Sequence, residues 1–187
     1  MIALSHVSKH FGEKEVLRDF SLTLGERGIT AVVGKNGSGK TTLLRILAGL
    51  EKKYSGEVVT GNRIAYVFQD YRLVPTLTAL ENVALVLGKD RRGEAVGYLR
   101  AVGLEAEAGS LPGSLSGGMQ QRLALARAFA FDGDLLLLDE PFAALDDEWK
   151  RKMMDAVQDA AQTRPVVLVT HDAQELAYLN CSVVRLD

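Results

Sequence analysis

Hydrophobic and polar residues alternate over two stretches near the start of the chain. Ile2–Val7 and Phe20–Leu24 both show the period-two pattern of half-buried antiparallel strands. Ile29–Val33 is instead a short β-branched apolar run, which is typical of a strand covered on both faces. The pattern therefore predicts an antiparallel N-terminal part that leads into a buried sheet.

Short apolar runs recur further along the chain and predict more buried strands. They are Ile64–Phe68, Leu135–Leu138, Val166–Thr170 and a last strand, Cys181–Leu186. Helical periodicity separates them at Lys40–Ala48, Thr78–Leu87, Glu94–Val102, Gln120–Ala130 and Asp146–Gln162. Apolar strands that alternate with helices indicate a mainly parallel, helix-covered sheet. Residues 70 to 115 contain helices and no strand, so we predict a helical insertion there.

The composition is that of one soluble globular domain. The 187 residues include 22 Lys+Arg and 24 Asp+Glu, and the formal net charge is −2. This balance argues against nucleic-acid binding by a basic face and against adsorption to an anionic membrane. The single cysteine, Cys181, cannot form an internal disulfide, which fits a reducing cytosol. The longest aliphatic run, Leu135–Leu138, is far short of the roughly 20 residues that span a bilayer.

Residues 34–41 read Gly-Lys-Asn-Gly-Ser-Gly-Lys-Thr and fit the phosphate-loop pattern between a buried strand and a helix. The glycines allow several backbone N–H groups to converge on phosphate oxygens, and the helix N-terminus adds a positive dipole end. Lys40 can bridge the terminal phosphates, and the Thr41 hydroxyl can bind Mg²⁺. The sequence therefore predicts a nucleotide site here.

An acidic pair, Asp139-Glu140, follows the apolar strand Leu135–Leu138. At the carboxyl end of a parallel strand, Asp139 would face the phosphate loop and hold the Mg²⁺ shell. Glu140 would then polarise a water for attack on the γ-phosphate.

A second glycine turn, Leu115-Ser116-Gly117-Gly118-Met119-Gln120, precedes the helix predicted at Gln120–Ala130. Such a turn makes a further anion-binding helix N-terminus. Because one chain holds one phosphate loop, we expect this second site to serve the nucleotide of another subunit.

The order of these motifs resembles the nucleotide-binding subunit of ABC transporters over nearly the whole chain. The matching elements are the loop at 34–41, Gln69, the signature at 115–120, Asp139-Glu140 and His171, with Ala144-Leu145-Asp146 and Phe11 in register. The resemblance implies an α/β P-loop NTPase core with a mainly parallel sheet, an N-terminal antiparallel β-subdomain and an inserted helical signature subdomain. It implies a single ATP-binding domain over residues 1–187, with the insertion at about 70–130.

The resemblance also assigns roles to residues, with ATP and Mg²⁺ as the ligands. It implies that ATP is contacted by Phe11, Val16, Gly34, Lys35, Asn36, Gly37, Ser38, Gly39, Lys40, Thr41, Thr42, Gln69, Ser116, Gly117, Gly118 and Asp146. It implies a metal site at Thr41, Gln69 and Asp139, and catalytic roles for Glu140, His171 and Lys40. Phe11 would stack on adenine, where the family more often has Tyr. His171 would contact the γ-phosphate, and Asp146 would cross the dimer interface.

The function implied is that of a cytoplasmic ATPase subunit, peripheral on the inner face of the cell membrane. Two copies of the cassette, or two paired cassettes, would enclose two ATP molecules and drive a membrane permease. A solute-binding protein would deliver the solute to the permease, and no nucleic-acid partner is expected. Residues 70–78, 81–83 and 141–146 are similar to importer cassettes for small anions and sulfonate-like solutes, such as the nitrate, sulfonate and taurine group. Sixteen residues follow His171, so we expect a complete hydrolytic core without a C-terminal extension.

Two alternatives remain open at this point. An exporter cassette would carry the same ATP-binding motifs. A non-transport ABC ATPase acting on DNA or ribosomes commonly has two fused cassettes or long coiled-coil or basic insertions, and this chain has neither. A degenerate binding-only module conflicts with the intact Lys40, Asp139, Glu140 and His171.

Overall fold

A computed structural model describes residues 1–186, and the chain divides into two compact units. The core unit comprises Met1–Tyr66, Gly133–Asp139 and Val157–Asp187, and the helical unit comprises Val67–Asp132 and Glu140–Ala156. The assignment of the whole chain to one ATP-binding domain, with an insertion at about 70–130, stays a prediction.

Eight strands and six α-helices follow one another along the described chain. The strands are β1 (Ile2–Phe11), β2 (Lys14–Leu24), β3 (Gly28–Gly34), β4 (Ser55–Val59), β5 (Ile64–Val67), β6 (Leu135–Asp139), β7 (Pro165–Val169) and β8 (Ser182–Leu186). The helices are α1 (Lys40–Leu47), α2 (Ala79–Ala84), α3 (Ala95–Ala101), α4 (Gly117–Ala130), α5 (Asp147–Ala161) and α6 (Ala173–Leu179), with 3₁₀ turns at Lys89–Glu94 and Pro112–Ser114. None of the helices within residues 1–186 has the length and apolar character needed to cross a membrane.

An antiparallel sheet of order β2-β1-β4 forms the N-terminal part of the core unit. The two predicted strands Ile2–Val7 and Phe20–Leu24 are parts of the longer β1 and β2, whose pairing continues through bulges to Phe11 and Lys14. The sequence pattern did not predict β4. Its residues are exposed apart from the half-buried Val58, so no alternation of apolar and polar positions marks it.

A second sheet has the order β5-β6-β7-β3-β8. Within it, β3 runs parallel to both β7 and β8, and β6 runs parallel to β7. Strands β6 and β7 are buried at every position, as their continuous apolar sequences predict. The predicted α/β class with a mainly parallel sheet is therefore confirmed.

Helix α1 fixes the position of the loop that precedes it. It buries Leu43, Leu44 and Leu47 in a cluster that includes Val32 of β3 and Val167 of β7. Full burial of a leucine side chain contributes about 1.5–3 kcal/mol. The N-terminus of α1 is thus anchored directly after the carboxyl end of β3.

The helical unit is built on mutual contacts of α2, α3 and α4. Thr78 and Glu81 form a reciprocal capping box at the start of α2, and hydrogen bonds from the Thr78 N–H and hydroxyl lower the pKa of the Glu81 carboxyl. The buried Asn82 amide accepts from the Val74 N–H at 2.9 Å and donates to three loop carbonyls, those of Val74, Leu77 and Thr78. Helix α2 ends at Ala84, three residues before the predicted end at Leu87.

Candidate active site

The phosphate loop connects β3 to α1 and requires glycine at Gly39. This residue has a φ of 100° in the left-handed region, which side-chain-bearing residues rarely adopt. A Cβ built there would lie 2.7 Å from Val16 Cγ1 and 2.8 Å from the Val16 carbonyl oxygen. The loop therefore rests directly on β2, and Val16 lies beneath its last glycine.

Lys40 is buried and holds its ammonium group inside the loop. Its Nζ donates to the carbonyl oxygens of Gly34 at 2.9 Å and Lys35 at 2.8 Å. Nearby, the buried Ser38 Oγ finds no hydrogen-bond partner within the described chain. An anionic oxygen in the loop would satisfy this hydroxyl and pair with the Lys40 charge. The loop therefore fits the phosphate groups of a nucleotide.

Three predicted site elements lie at one edge of the parallel sheet. In register, Val169 of β7 pairs with Val32 of β3 on one side and with Asp139 of β6 on the other. The carboxyl ends of these three strands are therefore level with one another. This arrangement brings together the phosphate loop, the buried Asp139 and the exposed His171, which follows β7 by two residues. Ligands of open α/β sheets bind at this edge.

The turn that carries His171 is held by polar contacts on either side of it. The buried Thr170 hydroxyl donates to Glu175 Oε2 at 2.5 Å and accepts from the Asp172 N–H at 3.1 Å. The Asp172 carboxylate in turn accepts from the Gln174 N–H at 2.8 Å and caps α6. The side chains of Thr170 and Asp172 thus fix the backbone on both sides of His171.

Phe11 does not lie at that strand edge. It ends β1 and pairs across the hairpin with Lys14, whose Nζ would be 3.7 Å from a Cβ built on Gly37 of the phosphate loop. The Phe11 ring is 51% exposed, and Lys9 Nζ lies 4.3 Å from its centroid. The hairpin therefore runs beside the loop at Lys14, and its Phe11 ring is half exposed. Lys14 is a cation at the loop that the sequence pattern did not identify, because only the hairpin brings it there.

In the helical unit, Gln69 and Glu140 are brought together. Gln69 Nε2 lies 3.5 Å from Glu140 Oε2, the longest distance that still allows a hydrogen bond. Glu140 itself has a φ of 50°, which costs a non-glycine residue about 1–2 kcal/mol. Such backbone strain clusters at functional sites.

The signature turn is the first turn of α4. The predicted helix started at Gln120, but α4 starts at Gly117, and the Ser116 side chain caps it by accepting from the Met119 N–H at 3.3 Å. The two glycines are poor helix formers, and the cap outweighs their low propensity. A Cβ on Gly118 would lie 2.9 Å from the Ala144 carbonyl oxygen, so the helix start presses closely on the loop after Glu140.

Asp146 has a local structural role in this loop. Its Oδ1 accepts from the Trp149 N–H at 2.9 Å, at the start of α5. Further along α5, Met153 and Val157 are buried, one and two helical turns after Trp149. Trp149 itself is half-buried and stacks on the Arg122 guanidinium at 4.0 Å.

Sequence reasoning missed two polar residues on α4, Gln121 and Arg122. Both are buried, and Arg122 also donates to the Val102 carbonyl oxygen at 2.6 Å. Burial lowers the pKa of the Arg122 guanidinium. The signal that could have revealed them is a Gln-Arg pair in an otherwise Ala/Leu-rich helix, where buried polar groups need specific partners.

The sequence model of the ABC transporter family matches residues 17–143 of this chain, a span that contains the phosphate loop, the signature and the acidic pair. The chain belongs to the ABC transporter family. The predicted family, the ATPase activity and the role as an ATP-binding transporter subunit are confirmed by this membership, and the assignment of individual site residues stays a prediction.

Curated relatives match this cassette over its whole length. Aliphatic sulfonates import ATP-binding protein SsuB 1 of Nocardia farcinica is 44% identical over 190 positions, which cover 100% of this chain and 78% of that protein. The SsuB protein of Escherichia coli strain K12 is 44% identical over 196 positions and covers 100% of this chain, with 77% of its own length matched.

A solved structure matches the cassette equally fully. It is the dimeric post-hydrolysis state of the ATP-binding cassette MJ0796 bound to ADP and Pi, with a TM-score of 0.89 and 33% identity. The match covers 100% of this chain and 94% of that one. At this identity the likeness supports a common fold and a common family.

Proposed function

We propose that this cassette is the ATP-hydrolysing subunit of an importer for aliphatic sulfonates or related small organic anions. The observation that carries the proposal is the 44% identity, across the whole chain, to proteins named for aliphatic sulfonate import. The intact phosphate loop and acidic pair supply the chemistry that such a subunit needs.

ATP binds with its terminal phosphates in the loop between β3 and α1. The Lys40 ammonium exchanges its contacts with the loop carbonyls for the β- and γ-phosphate oxygens, and the Ser38 hydroxyl gains the partner that it lacks among residues 1–186. Mg²⁺, when bound, supplies positive charge that stabilises the reacting phosphoryl group, and the Thr41 hydroxyl and Asp139 carboxylate are the groups that would hold it.

Hydrolysis requires a base that takes a proton from the attacking water. The Glu140 carboxylate has this role, and Gln69, which lies 3.5 Å from it, orients both the carboxylate and the water. His171 donates a hydrogen bond to the γ-phosphate. Water supplies the oxygen that the γ-phosphate gains, the bond from the γ-phosphorus to the β–γ bridging oxygen breaks, and ADP leaves.

Two copies of the cassette, or two related cassettes, close on ATP. The structural neighbour MJ0796 is a dimer in two solved structures, one of them bound to ADP and Pi. In this chain the exposed Ser116 and Gly117 head α4 and present a helix N-terminus to the nucleotide of the partner copy. Asp146 crosses the same interface.

The closed and open dimers drive a membrane permease, which holds the cassette on the inner face of the cell membrane. A solute-binding protein delivers the sulfonate to the permease.

The test is to purify the cassette from membranes of its own cells, identify the multi-span protein that accompanies it, and measure ATP hydrolysis in vesicles with an alkanesulfonate on the far side. Stimulation by the sulfonate and none by an amino acid supports the proposal. ATP-driven movement of the sulfonate in the outward direction would indicate an exporter. Co-purification of the cassette with ribosomes or DNA would indicate a non-transport ATPase.

The turn after Gln69 is the surface proposed to contact the permease. Tyr71 and Arg72 both have left-handed φ values, and the Arg127 guanidinium fixes the turn by donating to the Tyr71 carbonyl oxygen at 2.9 Å. The Arg72 guanidinium lies 4.0 Å from the Phe68 ring centroid and remains about half exposed. The turn thereby presents to solvent a cation whose Nε lies 3.3 Å from the exposed Asp70 carboxylate.

Charge reversal at Arg72 tests this surface. Arg72→Glu is expected to weaken co-purification with the permease at least several-fold, since a charged interface group of the wrong sign repels its partner. Binding of ATP to the isolated cassette should stay unchanged. Arg18→Glu is the matched control, because Arg18 is exposed, lies in the core unit and forms a long ion pair with Glu15, at 3.9 Å. Equal permease recovery for both variants would place the contact elsewhere.

A further inference from the structure

Gln121 is a polar side chain buried within the helical unit. It is 2% exposed and lies on α4, five residues after the Ser116 cap. Both polar atoms of its amide are used on one loop: Nε2 donates to the Glu140 carbonyl oxygen at 3.0 Å, and Oε1 accepts from the Ala144 N–H at 2.8 Å. A core position on this helix would be filled by an aliphatic residue if packing were its only role.

These two hydrogen bonds act on a strained part of the backbone. Glu140 has a φ of 50°, and a non-glycine residue keeps this conformation only when its surroundings hold it. Because Gln121 binds the carbonyl of Glu140 itself, it fixes the peptide plane that follows this residue and so the direction of its Cα–Cβ bond. Gly118 of the same helix approaches the Ala144 carbonyl oxygen so closely that a Cβ there would be 2.9 Å away. The loop is thereby held at both of its ends by one helix.

We infer that Gln121 is a positioning residue for hydrolysis, which aims the Glu140 carboxylate at the attacking water. Its amide also ties the Glu140 backbone to the helix whose start is proposed to meet the nucleotide of the partner copy. The inference rests on the proposed function of Glu140 as the base. It adds a residue that touches neither ATP nor water and acts through the backbone of Glu140.

Gln121→Met tests this role, because Met keeps the length of the side chain and removes both hydrogen bonds. We expect kcat to fall about 10–100-fold, as small displacements of a reacting group do. The KM for ATP and the ATP-dependent dimer should stay within about twofold of the parent, because the phosphate loop and the Ser116 cap are untouched. Rates are normalised to bound nucleotide so that unfolded protein does not contribute. Gln158→Met, which removes a glutamine hydrogen bond to the Tyr178 carbonyl oxygen at 3.1 Å, should leave kcat unchanged.

A double variant separates positioning from a general structural role. If Gln121 acts only by placing the Glu140 carboxylate, Gln121→Met should cause no further loss in single-turnover rate once Glu140→Gln has removed that carboxylate. Three results would each overturn the inference. The double variant could show the product of the two single losses, Gln121→Met could have the kcat of the parent, or its KM could rise as much as its kcat falls. Should Gln121→Met fail to bind ATP, Gln121→Glu keeps the acceptor for Ala144 and undergoes the same comparison.

The outcomes also separate this inference from the proposed function. A Glu140→Gln protein that hydrolyses ATP at the parent rate would refute the role of Glu140 as the base, and with it the basis for Gln121. A slow Glu140→Gln protein beside a Gln121→Met protein of parent rate would refute the positioning role alone.

Discussion

Glu140→Gln is expected to bind ATP as the parent does and to hydrolyse it about 10²–10⁴-fold more slowly, the usual cost of losing a general base. The amide keeps the size of the carboxylate and can still contact Gln69, which lies 3.5 Å from Glu140 Oε2. It lacks the negative charge that draws the proton from water. The variant should therefore accumulate as an ATP-bound dimer, measured by size-exclusion chromatography with ATP and Mg²⁺, whereas the parent hydrolyses its ATP and remains mostly monomeric.

Two further variants make this result specific. Glu148→Gln should behave as the parent does, because Glu148 is an exposed residue of α5 that pairs with Lys152. Ser116→Arg, introduced into Glu140→Gln, should abolish the dimer while the monomer still binds ATP, since the bulky cation fills the helix start offered to the partner copy. A Glu140→Gln protein that binds ATP, does not hydrolyse it and never dimerises would contradict the two-chain site.

Lys40→Ala is expected to lose tight ATP binding and hydrolysis together. The variant removes the ammonium of Lys40, which is buried and bonded to the Gly34 and Lys35 carbonyl oxygens of the phosphate loop. Charge-assisted hydrogen bonds to phosphate are about twice as strong as neutral ones, so no neighbouring backbone group replaces it. Equilibrium binding of a fluorescent ATP analogue and phosphate release are the measurements.

The control for this prediction is Lys152→Ala, which removes an exposed ammonium from an ion pair with Glu148. It should bind ATP and hydrolyse it at the parent rate. Circular dichroism of Lys40→Ala should show a folded protein, because the buried cluster beneath α1 is apolar. Ordinary turnover by folded Lys40→Ala would mean that the loop at 34–41 is not the site of ATP hydrolysis.

The parts of the fold that could be predicted from the sequence are those with strong hydrophobic patterns. Strands β6 and β7 are continuous apolar runs, and both are buried at every position. Strand β4 was missed because its pairing with β1 is made by backbone hydrogen bonds at exposed positions, which leave no mark on the sequence. The start of α4 was placed three residues late because Gly117 and Gly118 disfavour helix, and only the Ser116 cap compensates for them.

The same distinction between sequence patterns and tertiary contacts applies to the site residues. The phosphate loop, Asp139 and His171 follow predicted parallel strands, whose carboxyl ends must meet at one edge, so their proximity could be predicted. The role of Gln121 could not be predicted, because it depends on a tertiary contact between α4 and a strained loop. Lys14 was missed for a similar reason, since the β1–β2 hairpin determines that it reaches Gly37.

The neighbours of β3 determine when the phosphate loop can form during synthesis. Strand β3 lies between β7 and β8, which leave the ribosome more than 130 residues after it, and Gly34 pairs with Leu186. Such long sequence separation makes folding of this sheet slow. A nascent chain that has already exposed residues 34–41 therefore cannot hold the loop in place until β8 emerges. ATP can stabilise the newly made cassette only after β7 and β8 have been translated, so binding of the nucleotide reports that both of these late strands have docked.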